Sequence, residues 1–130
     1  MKTKLQTLAL GLAVFLLTKP ALAGPYEDAV AAYTRRNYTA AQQLWRPLAG
    51  QGNAAAQYNL GVLYDNGQGV PRDKAEALKW YRLAAGQGLA DAQFKLGALY
   101  ETGQGVAQSD LEALQWYRLA ADLAKGAKEV

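Results

Sequence analysis

Gly52-Asn-Ala-Ala-Ala-Gln-Tyr-Asn-Leu-Gly-Val-Leu-Tyr-Asp-Asn-Gly-Gln-Gly-Val-Pro-Arg-Asp-Lys-Ala-Glu-Ala-Leu-Lys-Trp-Tyr-Arg-Leu-Ala-Ala85 recurs 36 residues on, as Gly88 to Ala121. About 21 of the 34 paired positions are identical. The matches fall in blocks. Ala56, Gln57, Leu60, Gly61, Leu63 and Tyr64 return as Ala92, Gln93, Leu96, Gly97, Leu99 and Tyr100. Gly67-Gln68-Gly69-Val70 returns as Gly103-Gln104-Gly105-Val106. Glu76, Ala77, Leu78 and Trp80 to Ala85 return as Glu112, Ala113, Leu114 and Trp116 to Ala121. A fixed period of roughly 20–50 residues is the mark of a stacked repeat array, whose units bury their apolar faces against one another.

Each copy reads as two helices. Ala56, Leu60, Leu63 and Tyr64 share one helical face, and Ala77, Trp80, Tyr81 and Ala84 do the same on the next element. Asn53 is placed to cap the first helix, which is expected to run to about Asp65. Asn66 to Pro71 is a loop, since Gly67 and Gly69 permit positive φ and Pro71 cannot continue a helix. Asp73 with Glu76, and Ser109 with Glu112, have capping-box spacing. Asp122 replaces the terminating Gly86, so the last helix is expected to reach Lys125 before Gly126. Gly61 and Gly97 sit mid-helix, where Gly costs about 1 kcal/mol against Ala. Their recurrence predicts a neighbouring group too close for a Cβ. Trp80 and Trp116 are expected on the buried face of the second helices.

Upstream, Gly50-Gln51-Gly52 aligns with Gly86-Gln87-Gly88, and Trp45-Arg46 with Tyr81-Arg82. Residues 24–52 are therefore a degenerate first repeat with a short inner loop. Pro25 suits a first helical position in a helix to Arg36, Asn37 breaks it, and a second helix runs over 39–49. Full repeats follow at 53–88 and 89–124, then a tail at 125–130. No segment alternates with period two, so no sheet is expected.

Residues 1–23 stand apart. Lys2 and Lys4 precede an uncharged apolar run from Leu5 to Leu17, and Ala21-Leu22-Ala23 is a small-x-small cleavage site. That is the pattern of a secretory signal peptide. The run is short of the roughly 20 residues a spanning helix needs. The chain carries 14 Lys+Arg against 11 Asp+Glu. Without Lys2, Lys4 and Lys19, the mature chain has 11 of each and no net charge. No basic face for nucleic acid remains. Zero Cys excludes a disulfide scaffold, and zero His removes the commonest zinc ligand and general base.

The pattern Asn53-Ala-x-Ala-Gln-x-x-Leu-Gly-x-Leu-Tyr-x-x-Gly-x-Gly-Val, followed by Ala-x-x-Trp-Tyr-x-x-Ala-Ala85, resembles the Sel-1-like repeat of the tetratricopeptide superfamily. The resemblance implies an all-α fold: a right-handed α/α solenoid of about three helical hairpins. It implies a non-enzymatic adaptor whose first helices line a concave face that grips a protein or peptide. Bacterial relatives are often exported and act in envelope assembly, secretion, host contact or toxin immunity, so a periplasmic or secreted bacterial protein is expected. An immunity protein neutralising a periplasmic toxin is the alternative role. A cell-wall or β-lactam-acting enzyme is the remote one, and its cysteine-rich relatives differ from this Cys-free, shorter chain.

No motif calls for a cofactor or metal. Gly50-x-Gly52-x-x-Ala55 follows a helix, whereas a dinucleotide fingerprint follows a strand. Asp65-Asn66-Gly67 lacks the alternating acids of a calcium loop. Asn37-Tyr38-Thr39 is a glycosylation sequon that matters only in a eukaryotic pathway. Ser109, the one Ser of the mature chain, is accounted for as a cap. What varies between repeats is the solvent side of the first helices, those expected to line the inner curve. Tyr58, Asn59 and Val62, with Phe94, Lys95 and Glu101 beside them, are the expected partner-binding positions, because the core face does not claim them and apolar-aromatic patches with polar rims mark interfaces.

Overall fold

The computed structural model describes residues 24–129, and the expected signal peptide lies outside these described residues. Among them are six α-helices and no strand: α1 (Pro25–Thr34), α2 (Tyr38–Gly50), α3 (Ala54–Asn66), α4 (Lys74–Gly86), α5 (Ala90–Thr102) and α6 (Asp110–Glu129). Each helix packs on the one before and the one after it in the chain, which makes three stacked hairpins.

The helix starts are local chemistry. Asn37, Asn53 and Asp73 accept from backbone amides two or three residues on, at Ala40, at Ala56, and at Ala75 and Glu76. Ser109 Oγ accepts from Glu112 N at 3.3 Å. These bonds satisfy amides that the first turn leaves free. Gly24 N donates to Glu27 Oε2 at 3.1 Å, and Pro25 follows at the first helical position as expected. The helix ends differ from expectation in two places. The left-handed residue before α2 is Arg36 (φ 62°), while Asn37 only caps. And α6 passes Lys125 and Gly126 to reach Glu129. A single helical Gly lowers stability by about 1 kcal/mol without forbidding the helix.

The loops inside the two full repeats also stack. Gly67 ends α3 in the left-handed region (φ 67°), where L side chains are strained. Gly69 (φ 70°) brings the loop onto the start of α2, where a Cβ would sit 2.6 Å from Tyr38 O. Gly105 meets Lys74 O in the same way at 2.8 Å.

Two cores result. The first gathers Ala29, Ala32, Ala41, Trp45, Ala49, Ala56, Leu60, Leu63 and Trp80. The second gathers Ala77, Leu78, Tyr81, Ala84, Ala85, Ala92, Leu96 and Leu99. Trp80 of the second hairpin thus enters the core of the first, as its phase predicts. Trp116 packs on the second core but is only half-buried, contrary to the sequence expectation. At the matching position the second core carries the smaller Ala84 where a partly buried Leu48 packs on the first. Burying one Leu or Phe side chain stabilises by about 1.5–3 kcal/mol, and in this fold that burial requires the neighbouring hairpin.

Polar bonds of period 36 hold adjacent hairpins. Gln57 Nε2 donates to Ala49 O at 3.1 Å, and Gln93 Nε2 to Ala85 O at 3.2 Å. Each binds the C-terminal end of the preceding helix with a buried amide. Arg46 donates to Tyr64 Oη at 2.6 Å and Arg82 to Tyr100 Oη at 2.6 Å, with each guanidinium 5.8 Å from the ring centroid. Tyr64 is therefore half-buried rather than a full core member.

Candidate functional site

α1 and α3, the first helices of successive hairpins, leave a groove of about 350 Å³ between them. Tyr26, Val30 and Tyr33, spaced i, i+4, i+7, form its α1 wall. Tyr58, Asn59 and Val62 form the α3 wall, and Trp45 of α2 lies between them. Three of the six expected binding positions are thus brought together here.

The groove is fixed by aromatic packing and one cross-wall bond. Tyr33 lies 5.7 Å from Trp45 and 5.3 Å from Tyr38 between ring centroids. Tyr58 lies 5.8 Å from Tyr81. Asn59 Nδ2 donates to Tyr26 Oη at 3.1 Å and ties the walls together. Rigid walls matter because a site that need not reorganise spends less of its contact energy on ordering.

The electrostatics are acidic on the side toward α5. Burial raises the Tyr58 phenol above its ordinary value, and the carboxylate of Asp91, the neighbouring Tyr33 and the carboxylate of Asp65 raise it further. Asp65 is neutralised by its ion pair with Lys74, and it also accepts from Tyr81 Oη at 3.1 Å. These contacts account for the acid in the loop that only superficially resembles a calcium site. Tyr81, buried next to that carboxylate, is held far above the usual phenol range by desolvation first and by Asp65 second.

The other three expected positions lie elsewhere. Phe94 is 57% exposed and lines a second, largely apolar groove of about 480 Å³ with Ala90, Asp91, Tyr117, Ala120, Ala121 and Ala124. Its ring is 5.3 Å from Tyr117. Lys95 is half-buried and lines neither groove. Glu101 accepts from Tyr117 Oη at 2.6 Å, and this bond, with burial second, pushes the Tyr117 phenol up to about 12. Tyr58 and Phe94 hold equivalent places in their repeats but serve different concavities. Sequence reasoning missed the α1 wall, because the first repeat is degenerate and its phase is not set by the copied positions. The i, i+4, i+7 spacing of Tyr26, Val30 and Tyr33 was the available signal.

Among the described residues no three His, Cys, Asp or Glu side chains come together as a metal site, and no helix is long and apolar enough to cross a membrane.

The chain is similar to solved bacterial proteins. A Sel1 repeat protein from Oxalobacter formigenes shares 40% identity over 75% of this chain and 40% of its own, with a TM-score of 0.72. A protective antigen of uropathogenic Escherichia coli strains, displaying an SLR fold, shares 40% identity over 76% of this chain and 22% of its own, with a TM-score of 0.71. The chain therefore spans less than half the length of either. Among curated protein sequences nothing matches. The Sel1 repeat itself matches residues 54–89 and 90–125, more than half of the chain. With the 36-residue period, the paired helices and the glutamine staples in register, the chain belongs to the Sel1 repeat family.

Proposed function

We propose that this is an exported, non-enzymatic interaction module that holds a peptide or protein segment in the groove between α1 and α3. One observation supports this above the others. Tyr26, Val30, Tyr33, Tyr58, Asn59 and Val62 converge from two successive first helices around a volume of about 350 Å³, within the range of ligand sites. Aromatic walls carrying hydroxyl and amide groups at their rims suit anchoring of one bulky apolar side chain, with hydrogen bonds to the flanking backbone. The Asp91 field beside Tyr58 favours a basic residue next to that anchor.

Export rests on the 1–23 pattern. Cleavage after Ala23 would leave every helix of the described residues whole, since α1 begins at Pro25. The Gly24 nitrogen that donates to Glu27 would then be an ammonium, and its bond charge-assisted. Cell fractionation with intact mass tests this. A periplasmic or secreted product starting at Gly24 is expected, and a soluble product retaining residues 1–23 contradicts it.

The groove is tested by selecting displayed peptides on the wild-type chain and on Val30→Arg, a half-exposed position whose change blocks the groove without opening the core. Peptides with an apolar residue beside Lys or Arg are expected to enrich on the wild type, and to bind the variant roughly thirty-fold more weakly. Equal enrichment on both proteins contradicts the groove as the binding site.

A further inference from the structure

Leu78 and Leu114 hold the same place in successive repeats, yet Leu78 is 6% exposed and Leu114 46%. Ala85 is buried and Ala121 exposed; Tyr81 is fully buried and Tyr117 half-buried. The cover on α4 is α5, and among the described residues nothing lies in the corresponding place on α6. α4 and α6 thus present the same surface with and without a neighbour. α6 does not simply await another repeat, however. Gln93 docks on Ala85 O at the C-terminal end of α4, whereas α6 continues through Ala121 to Glu129, so the carbonyl of Ala121 lies inside a helix. The occupant must instead lie along a 20-residue helix.

The stripe on that helix is Asp110, Leu114, Tyr117, Ala121, Ala124 and Lys128. Its spacing of 4, 3, 4, 3, 4 keeps it on one face and reads the same from either end. Reversed upon itself, it sets Asp110 against Lys128, Leu114 against Ala124 and Tyr117 against Ala121. Acid meets base, and large meets small, at every step. We propose that α6 pairs antiparallel with α6 of a second copy of this chain about a two-fold axis at the level of Leu119. Each contact is then made twice, as an isologous interface requires. The groove of about 480 Å³ lined by Ala90, Phe94, Ala120, Ala121 and Ala124 receives Leu114 of the copy. The alanines let the helix axes approach to the short end of the usual range, about 8 Å. The acidic start of each helix (Asp110, Glu112) meets Lys128 in the last turn of the other, which is also the favourable arrangement for the two macrodipoles. This surface is separate from the α1–α3 groove, so either reading stands if the other fails.

Disulfide trapping tests the register, since the chain has no Cys of its own. Leu114→Cys with Ala124→Cys places the two thiols about 15 Å apart on one helix, too far to join within a chain. Oxidation of this double variant should give a covalent dimer, while Leu114→Cys alone should give none. Sedimentation velocity over a concentration series gives the second readout. Asp110→Lys alone and Lys128→Asp alone should each weaken the dimer roughly tenfold, by turning two attractions into repulsions, and the double exchange should restore it. A chain that stays monomeric throughout, or Leu114→Cys that cross-links to itself, overturns the proposal.

Discussion

A Cβ placed on Gly61 would lie 2.7 Å from Cε1 of Tyr81. Tyr81 is fully buried and its hydroxyl is tied to Asp65, so the ring has nowhere to go. At the equivalent Gly97 a Cβ would meet Tyr117 Cε1 at 2.8 Å and the backbone oxygen of Ala113 at 3.2 Å; Tyr117 is bonded to Glu101 but half-buried on the last helix, so its ring has more room to yield than Tyr81. Ala gains about 1 kcal/mol over Gly in a helix, and overpacking a core costs about 1–3 kcal/mol. Gly61→Ala is therefore expected to destabilise by about 1–2 kcal/mol, and Gly97→Ala by less, about 0–1 kcal/mol. Urea unfolding of both variants checks this. Equal effects would show that the two rings are held alike.

Trp80 and Trp116 should separate in the same direction. Trp80 is buried in the first core, while Trp116 is half-exposed against the second. Trp80→Ala is expected to cost about 3–5 kcal/mol, enough to unfold much of so short an array. Trp116→Ala should cost less than half as much, a difference that paired thermal melts would resolve.

Gln57 Oε1 accepts from Gln87 Nε2 at 2.8 Å, but Gln93 Oε1 is buried without a protein partner, because Leu123 stands 36 residues after Gln87. Leaving such a group unpaired costs about 1–3 kcal/mol. Leu123→Gln gives up one half-exposed leucine and offers the missing donor. A net gain of about 0.5–1 kcal/mol is expected, which raises the melting temperature by roughly 2–6 °C. A lower melting temperature would mean that the leucine contact outweighs the amide.

The Tyr117 phenol, raised to about 12 by its bond to Glu101, makes an alkaline prediction. The unfolded chain ionises its tyrosines near pH 10. Folded Tyr117 keeps its proton above that, so its contribution is fully present below about pH 10 and is lost as pH rises through about 12. Tyr117→Phe should flatten the fall in stability over that window and remove the phenolate absorbance step near pH 12, ahead of the step of the more strongly raised Tyr81. An unchanged titration would mean that the Glu101 bond is not formed.

How far the sequence could be read depended on range. The caps at Asn37, Asn53 and Asp73 act within three residues, and each was legible. So was the tight contact at Gly61, because repetition exposed it. Burial at the ends of the array was not legible. Leu78 and Leu114 are identical in type and phase, and differ only in whether a later helix covers them. Tyr58 and Phe94 looked like one surface for the same reason. The α1 wall of the groove was hidden because residues 24–52 share only scattered positions with the full repeats.

Backbone amide shifts during titration with a groove-selected peptide test the interaction site most directly. The largest changes are expected at residues 26–33 of α1 and 58–62 of α3, with α2 and α4 little affected outside Trp45. Changes centred on the outer faces of α2 and α4, or on the Gly67–Val70 and Gly103–Val106 loops, would contradict it.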